Sequence, residues 1–208
     1  MKKDPRYKNK GISWSGFAET SSDYFAQIHT IMQSVSSECF DKFVSEIMRV
    51  ARDDKLLLSA GNGGSASISN HIACDLSKGT FYDGVFRIRT VSLMSNSAML
   101  TAISNDFGFE ESIAFQLKLI ASRGDLLVLV SSSGESKNIR NAVNVAKELG
   151  ITVVGLTGFN GGFLRDNCDI SLHVDAEHYA LVEDSHMGIA HITVDAVNVI
   201  IKNEFGIA

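Results

Sequence analysis

Two short segments have the composition of anion-binding loops. Ser59-Ala60-Gly61-Asn62-Gly63-Gly64-Ser65 follows the apolar run Leu56-Leu57-Leu58 and leads into a helical pattern. Ser131-Ser132-Ser133-Gly134-Glu135-Ser136 follows Leu126 to Val130 and leads into another. Glycines in the first let backbone N–H groups approach a bound oxygen, and a helix N-terminus adds roughly half a positive charge at the same place. Ser65 is placed to cap that helix. The second loop offers hydroxyls, with Ser131, Ser132, Ser133 and Ser136 converging on one helix start. Neither is a nucleotide P-loop, since the first lacks the lysine and its glycines do not fall as Gly-x-Gly-x-x-Gly. Serines cap helices everywhere, so one such loop says little. Two in equivalent positions of one sheet fit a phosphorylated small molecule.

The elements that must position these loops follow from periodicity. From Asp23 to about Ala51, apolar residues recur at helical spacing, with a break near Ser36-Ser37, which predicts two helices. Short apolar runs then alternate with amphipathic stretches. The runs are Leu56 to Leu58, Val85 to Leu93, Leu126 to Val130, Ile151 to Leu156 and Ile170 to Val174. The helical stretches lie near Ser65–Leu76, Glu110–Ala121, Ser136–Leu149 and Leu181–Asn203. Such βαβ alternation predicts an α/β fold, a doubly wound three-layer sandwich on a five-stranded parallel sheet, with N-terminal helices added. Ligands of such sheets bind beyond the carboxyl ends of the strands, where both loops fall.

Composition bounds the function. The 208 residues, 45% hydrophobic and 21% charged, suit one domain, here residues 20–208 after a tail at 1–19. Nineteen basic and 24 acidic residues give a charge of −5, which makes no electrostatic case for nucleic acid or an anionic membrane. Apolar runs are far shorter than the ~20 residues of a membrane-spanning helix. Met1 to Lys8 is basic but leads into no apolar segment, so it does not read as a secretory signal, and a cytoplasmic protein is expected. Cys39, Cys74 and Cys168 are odd in number and widely spaced, which predicts three buried thiols in a reducing compartment. Trp14 is expected to pack the N-terminal arm on the body or on a neighbouring subunit. His29, His173, His178 and His186 have no partners by spacing and read as surface or structural residues.

At these loops the sequence resembles a sugar-isomerase (SIS) domain, and within that class the bacterial phosphoheptose isomerases. The resemblance spans about residues 20–205. It is carried by Gly61-Asn62-Gly63-Gly64-Ser65, His71, Ser104-Asn105-Asp106-Phe107-Gly108-Phe109, Ser131 to Ser136, Gly155-Leu156-Thr157-Gly158, and the segment from Val182-Glu183 to His191. It implies that Ser65, Ser131, Ser133 and Ser136 hold a sugar phosphate, with Asn62, Gly63, Ser132 and Asn96 beside them. It also implies that His71, Asp75, Glu183 and His191 line a metal-assisted catalytic site, and that the chain forms a homotetramer with sites at subunit interfaces. The implied reaction is isomerisation of sedoheptulose 7-phosphate for surface-polysaccharide (lipopolysaccharide or capsule) biosynthesis. Four positions depart from the family's usual residues: Asp75 for glutamate, Glu183 for glutamine, and Ile68 and Asn96 each for aspartate. They point to a divergent branch.

Aldose–ketose isomerisation moves a proton between adjacent carbons, which needs a base, an acid and a group that polarises the carbonyl. His71 and Asp75, four apart, share a helix face. Glu183 and His191, eight apart, lie close in angle. Two imidazoles and two carboxylates make a donor set for Zn²⁺, with Asp75, Glu183 and His191 as catalytic candidates. The shorter Asp75 loses reach, and Glu183 could take over its work from the facing helix. The same residues are also consistent with an exposed i,i+4 pair and a core histidine. Two other functions stay open: a non-catalytic sugar-phosphate-binding regulator or scaffold, and an isomerase of another ketose phosphate.

Overall fold

A computed structural model describes residues 14–207. Two helices come first, α1 (Phe17–Met32) and α2 (Ser37–Arg52), and the Ser36 hydroxyl caps α2 by accepting from the Cys39 N–H at 3.2 Å. The body then runs β1 (Leu56–Gly61), α3 (Gly64–Lys78), β2 (Arg89–Ser92), α4 (Ser97–Phe107), α5 (Ala114–Ile120), β3 (Leu126–Ser131), α6 (Lys137–Leu149), β4 (Thr152–Thr157), α7 (Gly162–Asn167), β5 (Ile170–His173) and α8 (Tyr179–Phe205).

All four strand pairings are parallel, in the order β2-β1-β3-β4-β5. The fold is the expected doubly wound α/β sandwich. Every residue of β3 is buried, as a central parallel strand covered on both faces must be. Leu126, Val128 and Val130 pack on one side with α2, α3 and α8, while Leu127 and Leu129 pack on the other with α5, α6 and α7. The chain leaves β1 towards β2 in one direction and continues from β3 towards β5 in the other. The strand order therefore reverses between β1 and β3, and the glycine-rich and serine-rich loops leave the carboxyl ends of these two neighbours.

Several expectations are corrected. The run from Val85 to Leu93 yields a strand only at Arg89–Ser92. Asp83-Gly84, with Gly84 at φ +69°, folds Tyr82 back onto Phe86 in a tight turn instead. The Glu110–Ala121 stretch divides into a single 3-10 turn, Phe109–Glu111, and α5. α4 and α7 did not register as helices in the sequence. Helix α1 begins at Phe17, ahead of residue 20, and the remainder of the expected tail, residues 1–13, lies outside the described residues. None of the three cysteines is fully buried, and Cys74 is exposed. Trp14 is 78% exposed, so it does not pack on its own subunit's body. Among the described residues no helix is long and apolar enough to cross a membrane.

Candidate active site

The first loop is shaped by backbone crowding. A Cβ at Gly61 would lie 2.6 Å from the Ser65 carbonyl oxygen and 2.7 Å from that of Val130, so only glycine fits where β1 meets α3 and β3. Gly63 is the N-cap, at φ 57° and ψ −124°, a conformation that favours glycine. Ser65 is therefore not the cap expected of it. It sits in the first turn, buried at 4% exposure, and makes no capping bond. A Cβ at Gly64 would collide with the Glu183 carboxylate, which reaches across from α8 to the start of α3.

The second loop has hydroxyls left over. Ser131 Oγ accepts from the Gly134 N–H at 3.1 Å, and Ser133 Oγ accepts from the Glu135 N–H at 3.4 Å. Ser136 stands at the N-cap of α6 but its side chain makes no capping bond. The Ser132 hydroxyl is buried and has no hydrogen-bond partner among the described residues, a cost that a bound oxygen would remove. The loop is braced from behind, where the Gly158 N–H donates to the Ser132 carbonyl at 2.9 Å and the Leu164 N–H to that of Gly134 at 3.1 Å. Glu135, the loop's one carboxylate, is held aside by Arg140 and the Phe163 N–H, and the hydrogen bond from Arg140 is the main cause of its lowered pKa.

Asn62 exchanges amide hydrogen bonds with Asn138 of α6, at 2.9 and 2.8 Å. Asn96 spends its side-chain oxygen capping α4, accepting from the Met99 N–H at 3.0 Å.

Beyond the loops, α3 and α8 pack together and bring three of the four expected metal-site residues into one group. His71 Nε2 lies 2.8 Å from His191 Nε2 and 3.0 Å from Asp75 Oδ2. The two rings meet edge to face at 78°. One ring nitrogen carries either one proton or one lone pair, so it cannot satisfy both neighbours with good geometry. Ligand atoms from all three residues lie within 4.8 Å of one another, and two imidazoles with a carboxylate are a donor set that suits Zn²⁺.

Glu183 is not in this group. Eight residues along a helix bring Glu183 and His191 to one side but separate them by roughly 12 Å of rise. The expected four-residue set is thus divided between the trio and a lone carboxylate over Gly64. Burial, reinforced by the charge of Asp184, raises the Glu183 pKa. Asp184 itself accepts a hydrogen bond from Tyr24 Oη at 2.5 Å, which ties α8 to α1.

Residues 23–158 match the SIS-domain family. The chain is 35% identical over 187 residues to the phosphoheptose isomerase of Geotalea daltonii, an alignment covering 87% of this chain and 95% of that protein. It is 37% identical over 147 residues to the phosphoheptose isomerase of Campylobacter concisus, covering 71% and 77% respectively. Among solved structures, the phosphoheptose isomerase of Neisseria gonorrhoeae matches with a TM-score of 0.79 at 27% identity, covering 88% of this chain and 98% of that one.

Proposed function

The chain belongs to the SIS-domain sugar isomerases and, within them, to the phosphoheptose isomerases, and we propose that it interconverts sedoheptulose 7-phosphate and an aldoheptose 7-phosphate at the β1/β3 switch point. The observation that carries this reading is the joining of two features: a hydroxyl-rich phosphate loop with an unpartnered buried Ser132, and the His71–Asp75–His191 trio farther along α3 and α8. Seven helical steps, roughly 10 Å of rise, separate Gly64 from His71, which gives a phosphorylated sugar chain room to span from one to the other.

The two loops divide the work. A carboxylate at the start of α3 repels a second anion there, so the phosphate is held by Ser131, Ser132, Ser133 and Ser136, while Asn62, Gly63 and Ser65 face the sugar. Glu183 is the base. Its half-buried carboxylate has no cation paired with it among the described residues, and its raised pKa brings its proton affinity closer to that needed near neutral pH. It takes the proton from one carbon and returns it to the neighbour. His71, Asp75 and His191 would hold Zn²⁺, which when bound supplies Lewis-acid polarisation of the substrate carbonyl. Asp75 stands one turn further along the same helix as His71, so α3 would supply two of the three donors and α8 the third.

Exposed apolar side chains beside the trio support an oligomer. Ile192 follows His191 and is 48% exposed, and Phe17 and Phe25 of α1 are more exposed still. We read these as faces of a homotetramer with sites near subunit contacts, where Trp14 would also be covered. Helix α1 and the body that follows it act as one domain in a cytoplasmic enzyme of surface-polysaccharide synthesis. The test incubates the protein with a panel of ketose phosphates in D₂O and follows new aldose signals by NMR. Aldoheptose signals with deuterium at the former C1 or C2 position are expected from sedoheptulose 7-phosphate. Binding without turnover would overturn the enzymatic reading, and light scattering at the 22.6 kDa monomer mass would overturn the oligomer.

A further inference from the structure

Three of the loops around the site are tied together behind it by a buried polar relay. The Asn138 Nδ2 donates to Asn62 Oδ1 at 2.8 Å and to Ser112 Oγ at 3.3 Å, while its Oδ1 accepts from Asn62 Nδ2 at 2.9 Å. Ser112 in turn is held by Gln116, whose Nε2 donates to the Ser112 carbonyl at 2.7 Å and to the Leu93 carbonyl at 3.0 Å. Asn138 is 1% exposed, Ser112 is fully buried and Gln116 is 7% exposed. Leu93 closes the relay, because its own N–H donates to the Ser59 carbonyl at 2.9 Å.

The relay therefore links the carboxyl ends of β1 and β2 to the first turn of α6, immediately after the phosphate loop. Asn62 is the member at its outer end. Its amide can make four hydrogen bonds. The pairing with Asn138 uses one donor and one acceptor, which leaves one N–H and one lone pair at the mouth of the first loop. Both bonds to a single partner also fix which way the amide faces, because turning it over would set donor against donor.

We propose that Asn138 is a positioning residue for the sugar-binding amide of Asn62, with Ser112 and Gln116 holding Asn138 in place. The proposal rests on the isomerase reading for its substrate but not for the pairing itself. Buried, with both of its N–H groups donated within the relay, Asn138 does not touch the sugar. It sets the orientation in which the remaining Asn62 N–H meets a substrate oxygen, and it keeps that loop in register with Ser131 to Ser136.

A double-mutant cycle on kcat/KM for sedoheptulose 7-phosphate tests this. Asn62→Ala and Asn138→Ala should each lower kcat/KM roughly tenfold, about the effect of one lost hydrogen bond, and the double variant should be no worse than Asn62→Ala alone. Losses that multiply, or an Asn138→Ala enzyme with unchanged kcat/KM, would overturn the proposal. Should Asn138→Ala fail to fold, Ser112→Ala removes only the Asn138–Ser112 bond and should give a smaller loss, again absent in the Asn62→Ala background. A second readout is independent of turnover. In asparagine-labelled protein the Asn62 side-chain N–H that is donated to Asn138 should be protected from water exchange in the wild type and lose that protection in Asn138→Ala. Lost turnover with this protection intact in the wild type counts against the isomerase reading, whereas unprotected Asn62 signals in the wild type count against the pairing.

Discussion

His71 on α3 and His191 on α8, 120 positions apart in the chain, bring their Nε2 atoms to 2.8 Å, and Asp75 crowds the same His71 nitrogen at 3.0 Å. A cation shared by the three relieves that competition. The protein is expected to bind one equivalent of zinc per chain, measured by elemental analysis after dialysis, and to lose it in His71→Ala and His191→Ala. Chelation should abolish isomerisation and added Zn²⁺ restore it. Full activity in metal-free protein would sink the assignment.

Glu183→Gln should lower kcat by roughly 10²- to 10⁴-fold, the usual contribution of a general base, with sugar-phosphate affinity retained and the melting temperature unchanged or higher. A base works deprotonated, and a raised pKa keeps Glu183 protonated to higher pH. The acid limb of the wild-type rate profile should therefore lie above the ordinary glutamate value of 4.5. Gly64→Ala should act through the same group, since the added methyl displaces the carboxylate, and a ~1 Å displacement can cost ~100-fold in rate. If Glu183→Gln stays active, Asp75 is the working carboxylate.

Ser132→Ala and Ser65→Ala separate the two loops. Removing the unpartnered Ser132 hydroxyl should leave stability equal or improved, yet weaken binding of sugar phosphate roughly tenfold by calorimetry. Ser65→Ala should change phosphate affinity much less. Equal losses from both would mean that one anion is shared between the loops.

His186 sets an acid limit on stability. Its ring is wholly buried on α8, and burial, with a smaller contribution from nearby His173, lowers its pKa to about 4 against the opposing pull of the Thr157 backbone. The unfolded chain takes up this proton near pH 6.5. The contribution is thus complete above pH 6.5 and is lost as pH falls towards 4, by about 3 kcal/mol. Urea unfolding midpoints measured from pH 7 to pH 4 should fall accordingly, and His186→Leu should flatten that fall. An unchanged slope in the variant would place the acid sensitivity elsewhere.

What the sequence could convey depended on length and period. β3 was legible because a buried parallel strand needs an unbroken apolar run, and Leu126 to Val130 supplies one. α7, at six residues, is too short to show a helical period, and α4 contributes a single buried side chain, Ile103. The resemblance named the residues of the trio, and the eight-residue spacing of Glu183 and His191 already carried the rise that separates them, but which residue of α3 each would meet depended on how α3 and α8 pack, which spacing within one helix does not convey. Asn138 gave no signal at all. Its partner Asn62 is 76 positions away, and a buried amide pair has no characteristic spacing.

The seam between α3 and α8 also governs how the site can fail. The phosphate loop is braced by β4 and α7, whereas the reactive trio exists only while α8 lies against α3. Any excursion that lifts α8 dismantles the trio and removes Glu183 from Gly64 but leaves the serines in place. Under mild heat or denaturant the protein should therefore pass through a state that still captures its ligand and no longer transforms it, with catalysis lost before recognition.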